Sequence, residues 1–305
     1  MRPSTHALIA LVVAFALAAS GCPSLSSFYR GRDDVGASID LAYVNDGLEK
    51  HRLDVYHPRD SKERWPVVVF VHGGYWKGGD KTYWQAITGL YGNAGVALGE
   101  LGVGTVVTNY RLWPDATLDQ MLDDVVGAMK WAHDHVAEMG GDPNRIYLAG
   151  HSAGAHLVTL IGSRPDILTK RGFDPAWLKG VVGVSGIYDI PSTVPLVEPE
   201  LRDGVFYGLF GTDVATQRMA SPLFHFSEAM PPTYFIVGEN DYRSVKRDYV
   251  AAEQQLAPLL GNKAFFKMVP GNTHEDMVLE MGTEHDEVAP AIAAFVRMIE
   301  KRDAR

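Results

Sequence analysis

A chain of 305 residues, 46% of them hydrophobic, is long enough to bury a large core, and α/β domains of this length often fold as one unit. Its 28 basic and 37 acidic residues give a formal net charge of -9 with no Lys/Arg-rich stripe, which excludes nucleic acid as a partner. The 31 glycines and 17 prolines follow no period and no internal repeat is present, so collagen-like and low-complexity architectures are excluded.

Arg2 precedes an uncharged apolar run of 13 residues, Ala7 to Ala19. A membrane-spanning helix needs about 20, so the run suits the hydrophobic region of a secretory signal. It ends in Ala19-Ser20-Gly21-Cys22, which resembles the lipobox of a bacterial lipoprotein, although the commoner Leu is missing from the first position. Cys22 is the only cysteine, so the chain can form neither an internal disulfide nor a cysteine-based metal cluster. The expectation is a signal peptide over residues 1–21, lipidation of Cys22, a tether over 22–36 and a folded domain over 37–305. A diacylated and N-acylated cysteine would hold the protein to a membrane of a bacterial cell envelope without a transmembrane helix.

From Ala37 onward, strand-like and helix-like patterns alternate. Ile39 to Val44 and Leu53 to Tyr56 alternate apolar and polar residues, as half-buried antiparallel strands do. Val67 to Val71 is continuously apolar and β-branched, which suits a central strand covered on both faces. Gly104 to Asn109, Arg145 to Ala149, Gly180 to Val184, Thr233 to Val237 and Ala264 to Val269 complete eight strands. Between them, Leu118, Met121, Leu122, Val125, Met129, Ala132 and Val136 mark one buried face of a helix running to Met139, which Gly140-Gly141 ends. Ala155 to Ile161, Ser244 to Leu260 and Glu287 to Lys301 are further helical runs. The alternation predicts a mostly parallel, doubly wound, eight-stranded sheet. Residues 187–232 break the rhythm with prolines at 191, 195, 199 and 222 among others and with scattered aromatics, and are read as a small cap inserted over the site. In such sheets ligands gather at the carboxyl ends of strands.

Chemistry-bearing residues fall at those ends. Gly150-His151-Ser152-Ala153-Gly154 is a G-x-S-x-G sequence between a strand and a helix, the context that presents a serine nucleophile on a strained turn. His72-Gly73-Gly74-Tyr75-Trp76 follows the most apolar strand, and glycines there let backbone N–H groups approach a substrate oxygen. Gly73 and Gly74, with the N–H of Ala153, are the expected oxyanion donors. His72 is expected to hold its loop by hydrogen bonding, and Tyr75 and Trp76 either line the pocket or pack. Gly78-Gly79-Asp80 lacks the Gly-Lys-Ser/Thr ending of a phosphate loop.

A serine hydroxyl needs a base held in one tautomer by a carboxylate. Asp241 follows the strand ending at Val237, and His274 follows the strand ending at Val269, so both sit on loops that can converge on Ser152 in the order Ser, Asp, His. The rivals are weaker. Asp189 lies one strand early, Glu239 is two residues from Asp241, and His285 stands near the start of the last helix. His151 and His156 flank the nucleophile and suit packing or supporting roles.

These motifs, with Asn109-Tyr110-Arg111-Leu112 and the run Gly140 to Tyr147, resemble one α/β-hydrolase family. It is the esterase group containing carboxylesterases similar to hormone-sensitive lipase, arylformamidases and isoprenylcysteine methylesterases. Ser152-Ala153-Gly154-Ala155-His156 and Thr273-His274-Glu275-Asp276 are most similar to the last of these, and the resemblance covers about Leu53 to Lys301. It implies an ester or amide hydrolase that uses an acyl-serine intermediate and no metal or organic cofactor. A carboxylic ester hydrolase acting on small or medium ester substrates is expected; the alternative is hydrolysis of an N-formyl amide, and a non-catalytic binding protein is a third reading. One position departs: Tyr75 stands where lipase-like members carry a third glycine.

Overall fold

The computed structural model describes residues 33–82 and 90–303. The signal peptide, Cys22 and the tether up to residue 32 lie outside the described residues. One sheet of eight strands runs through the molecule: β1 (Val35–Ala42), β2 (Arg52–Pro58), β3 (Trp65–Val71), β4 (Gly104–Thr108), β5 (Gly141–His151), β6 (Leu178–Val184), β7 (Thr233–Gly238) and β8 (Ala264–Val269). Their order across the sheet is β1-β2-β4-β3-β5-β6-β7-β8. β2 is antiparallel to both β1 and β4, and every pair from β4 to β8 is parallel.

Five principal helices cover the two faces: α1 (Gly92–Glu100), α2 (Leu118–His135), α3 (Ala153–Ser163), α4 (Arg243–Leu260) and α5 (Val288–Asp303). β3 shows why its sequence is apolar without alternation. Val67, Val69 and Val71 enter the core under α2, α3 and α4, whereas Val68 and Phe70 enter the core under α1 and α5. α2 starts at a capping box: the Gln120 N–H donates to the Thr117 hydroxyl oxygen and the Thr117 N–H to Gln120 Oε1.

Two elements differ from the sequence expectation. β1 runs from Val35 to Ala42, so it starts and ends earlier than the alternating stretch at 39–44 and takes up residues assigned to the tether. α1 has no counterpart in the sequence reading because glycines occupy positions 92, 95 and 99 and lower its helical signal. Two of them serve packing: a Cβ on Gly95 would enter the Tyr56 ring, and one on Gly99 would crowd Val35 at 3.0 Å.

The chain reverses its direction across the sheet at β3, with β4 on one side and β5 on the other. Loops leaving the carboxyl ends of β3 and β5 therefore diverge and open a crevice, the position at which such sheets bind ligands. Over it sits the segment between β6 and β7, a chain of short helices from Ile190 to His225. Its Phe206 and Phe210 pack edge-on against Trp76, with ring centroids 5.4 and 4.9 Å apart.

Candidate active site

Ser152 follows β5 and caps α3 with φ 56° and ψ −119°, a conformation that L-residues rarely adopt and that costs about 1–3 kcal/mol. The turn is pinned by the Ser152 N–H, which donates to the Val184 carbonyl at the end of β6, 2.9 Å away. The flanking glycines permit it. A Cβ on Gly154 would run into the Val71 carbonyl, and one on Gly150 would meet the Gly154 carbonyl carbon at 2.6 Å. Backbone from β3 therefore touches the first turn of α3, whose N-terminal amides lack helical partners and attract negative charge.

On the loop after β7, Asp241 Oδ1 accepts the Tyr242 N–H at 2.7 Å and lies 2.8 Å from Nδ1 of His274, on the loop after β8. Both residues are buried, 5% and 7% exposed. Burial opposes ionisation of Asp241, but the hydrogen bond and charge of His274, with help from the Tyr242 N–H, hold its carboxyl below the usual range. The carboxylate therefore accepts and His274 Nδ1 carries the hydrogen, leaving Nε2 as the basic nitrogen.

His151, the residue before Ser152, lies against this pair. Its ring lies 4.8 Å from that of His274, and its Nε2 donates to the His274 carbonyl at 3.1 Å. Its Nδ1 faces the Tyr91 hydroxyl at 3.5 Å. Burial and the neighbouring His274 push the His151 pKa down to about 3, so the ring that touches the His274 loop is neutral.

The oxyanion assignment requires one correction. The Gly73 N–H donates to the Tyr91 hydroxyl at 2.9 Å in a buried position, so it is engaged and does not face a substrate. Gly73 serves instead by its lack of a side chain: a Cβ there would meet the Ser152 Cβ at 2.9 Å and the His151 carbonyl oxygen at 3.0 Å. Gly74 is exposed and has φ 115°. Among the described residues, the amides of Gly74 and the following Tyr75 have no hydrogen-bond partner. With Ala153 at the first position of α3, they are the amides available to an oxyanion.

A model of the BD-FAE family matches residues 53–252. The chain belongs to the BD-FAE family. It is similar to an isoprenylcysteine alpha-carbonyl methylesterase of Arabidopsis thaliana, 28% identical over 246 residues that cover 76% of this chain and 55% of the relative. Kynurenine formamidase of Drosophila melanogaster is 26% identical over 272 residues, covering 86% and 82% of the two chains. The chain spans about half the length of the plant relatives that it matches. Among solved structures, an inhibited esterase B from Lactobacillus rhamnosis superposes with a TM-score of 0.74 at 21% identity, over 97% of each chain. The BD-FAE chain thus has the α/β-hydrolase fold.

The remaining candidates in this BD-FAE domain take structural places. Asp189 caps a short helix of the inserted segment through the Ser192 N–H, and Glu239 accepts the Gly271 N–H below the base loop. His285 is exposed beside Glu284. His156 bridges the Trp76 indole N–H and the Ala220 carbonyl, which seats the inserted segment. His72 Nδ1 donates to the Gly73 carbonyl and its ring stacks on Tyr110 at 4.5 Å, so it holds the loop. Trp76, Tyr188, Phe206 and Phe210 are buried, with Trp76 packed on Phe206 and Phe210 and Tyr188 on Phe235. Residues that motif reading passed over are Tyr91 and a surface pair beside His274. The Tyr242 ring is tilted by 42° against that of His274, 4.7 Å between centroids, and its hydroxyl donates to Glu275 Oε1 at 2.8 Å. Only the presence of an aromatic and a carboxylate next to Asp241 and His274 signals that last pair in the sequence.

Proposed function

We infer that this chain is a serine carboxylic ester hydrolase with Ser152 as nucleophile, His274 as base and Asp241 as acid. The observation that carries the reading is the buried 2.8 Å Asp241–His274 pair docked on His151, next to a serine held in the strained conformation at the N-terminus of α3. In the first step His274 Nε2 takes the Ser152 hydroxyl proton as the oxygen attacks the ester carbonyl. Negative charge moves onto the carbonyl oxygen, where the amides of Ala153, Gly74 and Tyr75 receive it. Collapse expels the alcohol, which leaves with the proton from Nε2. Water then loses a proton to Nε2 and attacks the acyl-serine, and breakdown returns the proton to Ser152 and releases the acid. Asp241 stays ionised and opposes the imidazolium charge in both halves.

Hydrolysis of an N-formyl amide is the second reading, favoured by the similarity to a kynurenine formamidase along 82% of that protein's length. The same groups serve it, with an amine in place of the alcohol as leaving group. Turnover of p-nitrophenyl acetate against N-formylkynurenine separates the two. The ester reading expects kcat/KM for the acetate to be the higher, and loss of at least about 1,000-fold of it in Ser152→Ala and in His274→Ala. A Ser152→Ala enzyme as active as wild type overturns the mechanism.

We also propose that the precursor is cleaved before Cys22 and lipidated there, anchoring the enzyme to an envelope membrane. The support is the apolar run followed by small residues and the sole cysteine. Cys22→Ser expressed in a bacterium should move the protein from the membrane to the soluble fraction. An unchanged membrane fraction opposes the anchor.

A further inference from the structure

The mouth of the site carries a carboxylate that the reaction does not use. Glu275 follows the base His274 directly and is exposed. Its polar partner is a neutral phenol, that of Tyr242, 46% exposed, whose ring lies against the His274 imidazole. No cation stands within ion-pair distance of Glu275 among the described residues, in contrast to Asp80, Asp124 and Glu287, each of which meets a lysine or arginine. Tyr75, half-buried on the loop after β3, adds a second phenol that lies in the field of Glu275 and Asp241. Burial, the Glu275 hydrogen bond and its negative charge raise the Tyr242 pKa, which keeps this phenol neutral and donating.

The position of this wall fixes which half of a substrate meets it. His274 delivers a proton to the departing alcohol, so the space beyond its imidazole belongs to the leaving group rather than to the acyl chain. A leaving group entering there passes the Tyr242 ring and the uncompensated Glu275 carboxylate. A negative charge on it is repelled, and a positive charge is attracted by the carboxylate and the aromatic faces.

The geometry points to Glu275, supported by Tyr242, as a charge filter on the leaving-group side, selecting esters whose alcohol portion is neutral or cationic and rejecting those whose alcohol portion carries a carboxylate. This rests on the ester-hydrolase reading above. For a group in open solvent at an effective dielectric near 40, a unit charge about 8 Å from another changes binding by about fivefold, and added salt weakens the effect.

The test uses three acetate esters with a common acyl group: phenyl acetate, 4-acetoxybenzoate and 4-acetoxyphenyl trimethylammonium. Each kcat/KM is measured for wild type and Glu275→Gln at low and high ionic strength, and the charged esters are expressed relative to phenyl acetate within each enzyme. The ratios cancel any general effect of the substitution, and comparing the two enzymes cancels the intrinsic reactivity of each ester. Glu275→Gln should raise the anionic ratio about fivefold and lower the cationic ratio by a similar factor. Raising the salt in wild type should raise the anionic ratio, and in Glu275→Gln it should change that ratio far less. Ratios unchanged by the substitution, with phenyl acetate still turned over, overturn the filter and leave the hydrolase reading standing. Failure of wild type to hydrolyse any of the three overturns both.

Discussion

Replacing Asp241 with Asn is the most informative single change, because it keeps the volume and removes the charge. Oδ1 of Asp241 receives two hydrogens, from His274 Nδ1 at 2.8 Å and from the Tyr242 N–H at 2.7 Å. An Asn with its oxygen in that place keeps both contacts but no longer opposes the imidazolium that forms when His274 accepts the serine proton. An Asn turned the other way presents an NH2 group to Nδ1 and drives the ring to the tautomer whose Nε2 is already protonated. At an effective dielectric near 20, a charge pair about 4 Å apart is worth about 4 kcal/mol. At 1.36 kcal/mol per tenfold, that is a fall in kcat of about 1,000-fold. The loss should appear in kcat and kcat/KM together, with KM for p-nitrophenyl acetate little changed, since the charge is needed only in the transition state. Thermal unfolding provides the control for folding. A folded Asp241→Asn enzyme within tenfold of wild type would show that Asp241 is not the acid.

Three further outcomes follow from the packing and the protonation states. Gly154→Ala should be destabilised by about 3 kcal/mol or more, because its methyl would run into the Val71 carbonyl, which is fixed in the central strand; a urea midpoint equal to wild type contradicts this. Tyr91→Phe leaves the buried Gly73 N–H without its acceptor and should cost about 1–3 kcal/mol in equilibrium unfolding, whereas unchanged stability would mean that this amide finds another partner. His72, His151 and His156 are held neutral, with burial pushing their pKa values down to about 4, 3 and 4. Each binds a proton more readily when unfolded, so their contribution is present above the ordinary histidine pKa of about 6.5 and is lost as pH falls toward 4. Unfolding free energies measured between pH 7 and 4.5 should therefore decline with acidification, with at least about one net proton taken up on unfolding; a flat profile contradicts the assignment.

Much of the scaffold was legible because strong local signals and tertiary demands coincide. Val67 to Val71 is apolar at every position because both of its faces are covered, and the glycines at 150 and 154 are required by backbone contacts. Asp241 and His274 could be selected because each follows a strand end, and strand order then brings them together. What stayed hidden depends on contacts distant in sequence. Nothing near Gly73 announces that Tyr91, 18 residues on, takes its amide. The departure at Tyr75 pointed to this loop, but which of its amides remain free follows only from the tertiary packing. α1 was concealed by glycines that exist to admit Tyr56 and Val35. The role of His151 was equally invisible, since a histidine beside a nucleophile reads as packing until the His274 carbonyl is found 3.1 Å from its Nε2.

Covalent trapping addresses the nucleophile directly. Wild-type protein and a Ser152→Ala variant would be treated with a fluorophosphonate, and the adduct located by intact mass and peptide sequencing. Wild type should carry a single adduct, at Ser152 in the peptide containing Gly150 to Gly154, and the variant none. A label on another residue, or equal labelling of the two proteins, would contradict it.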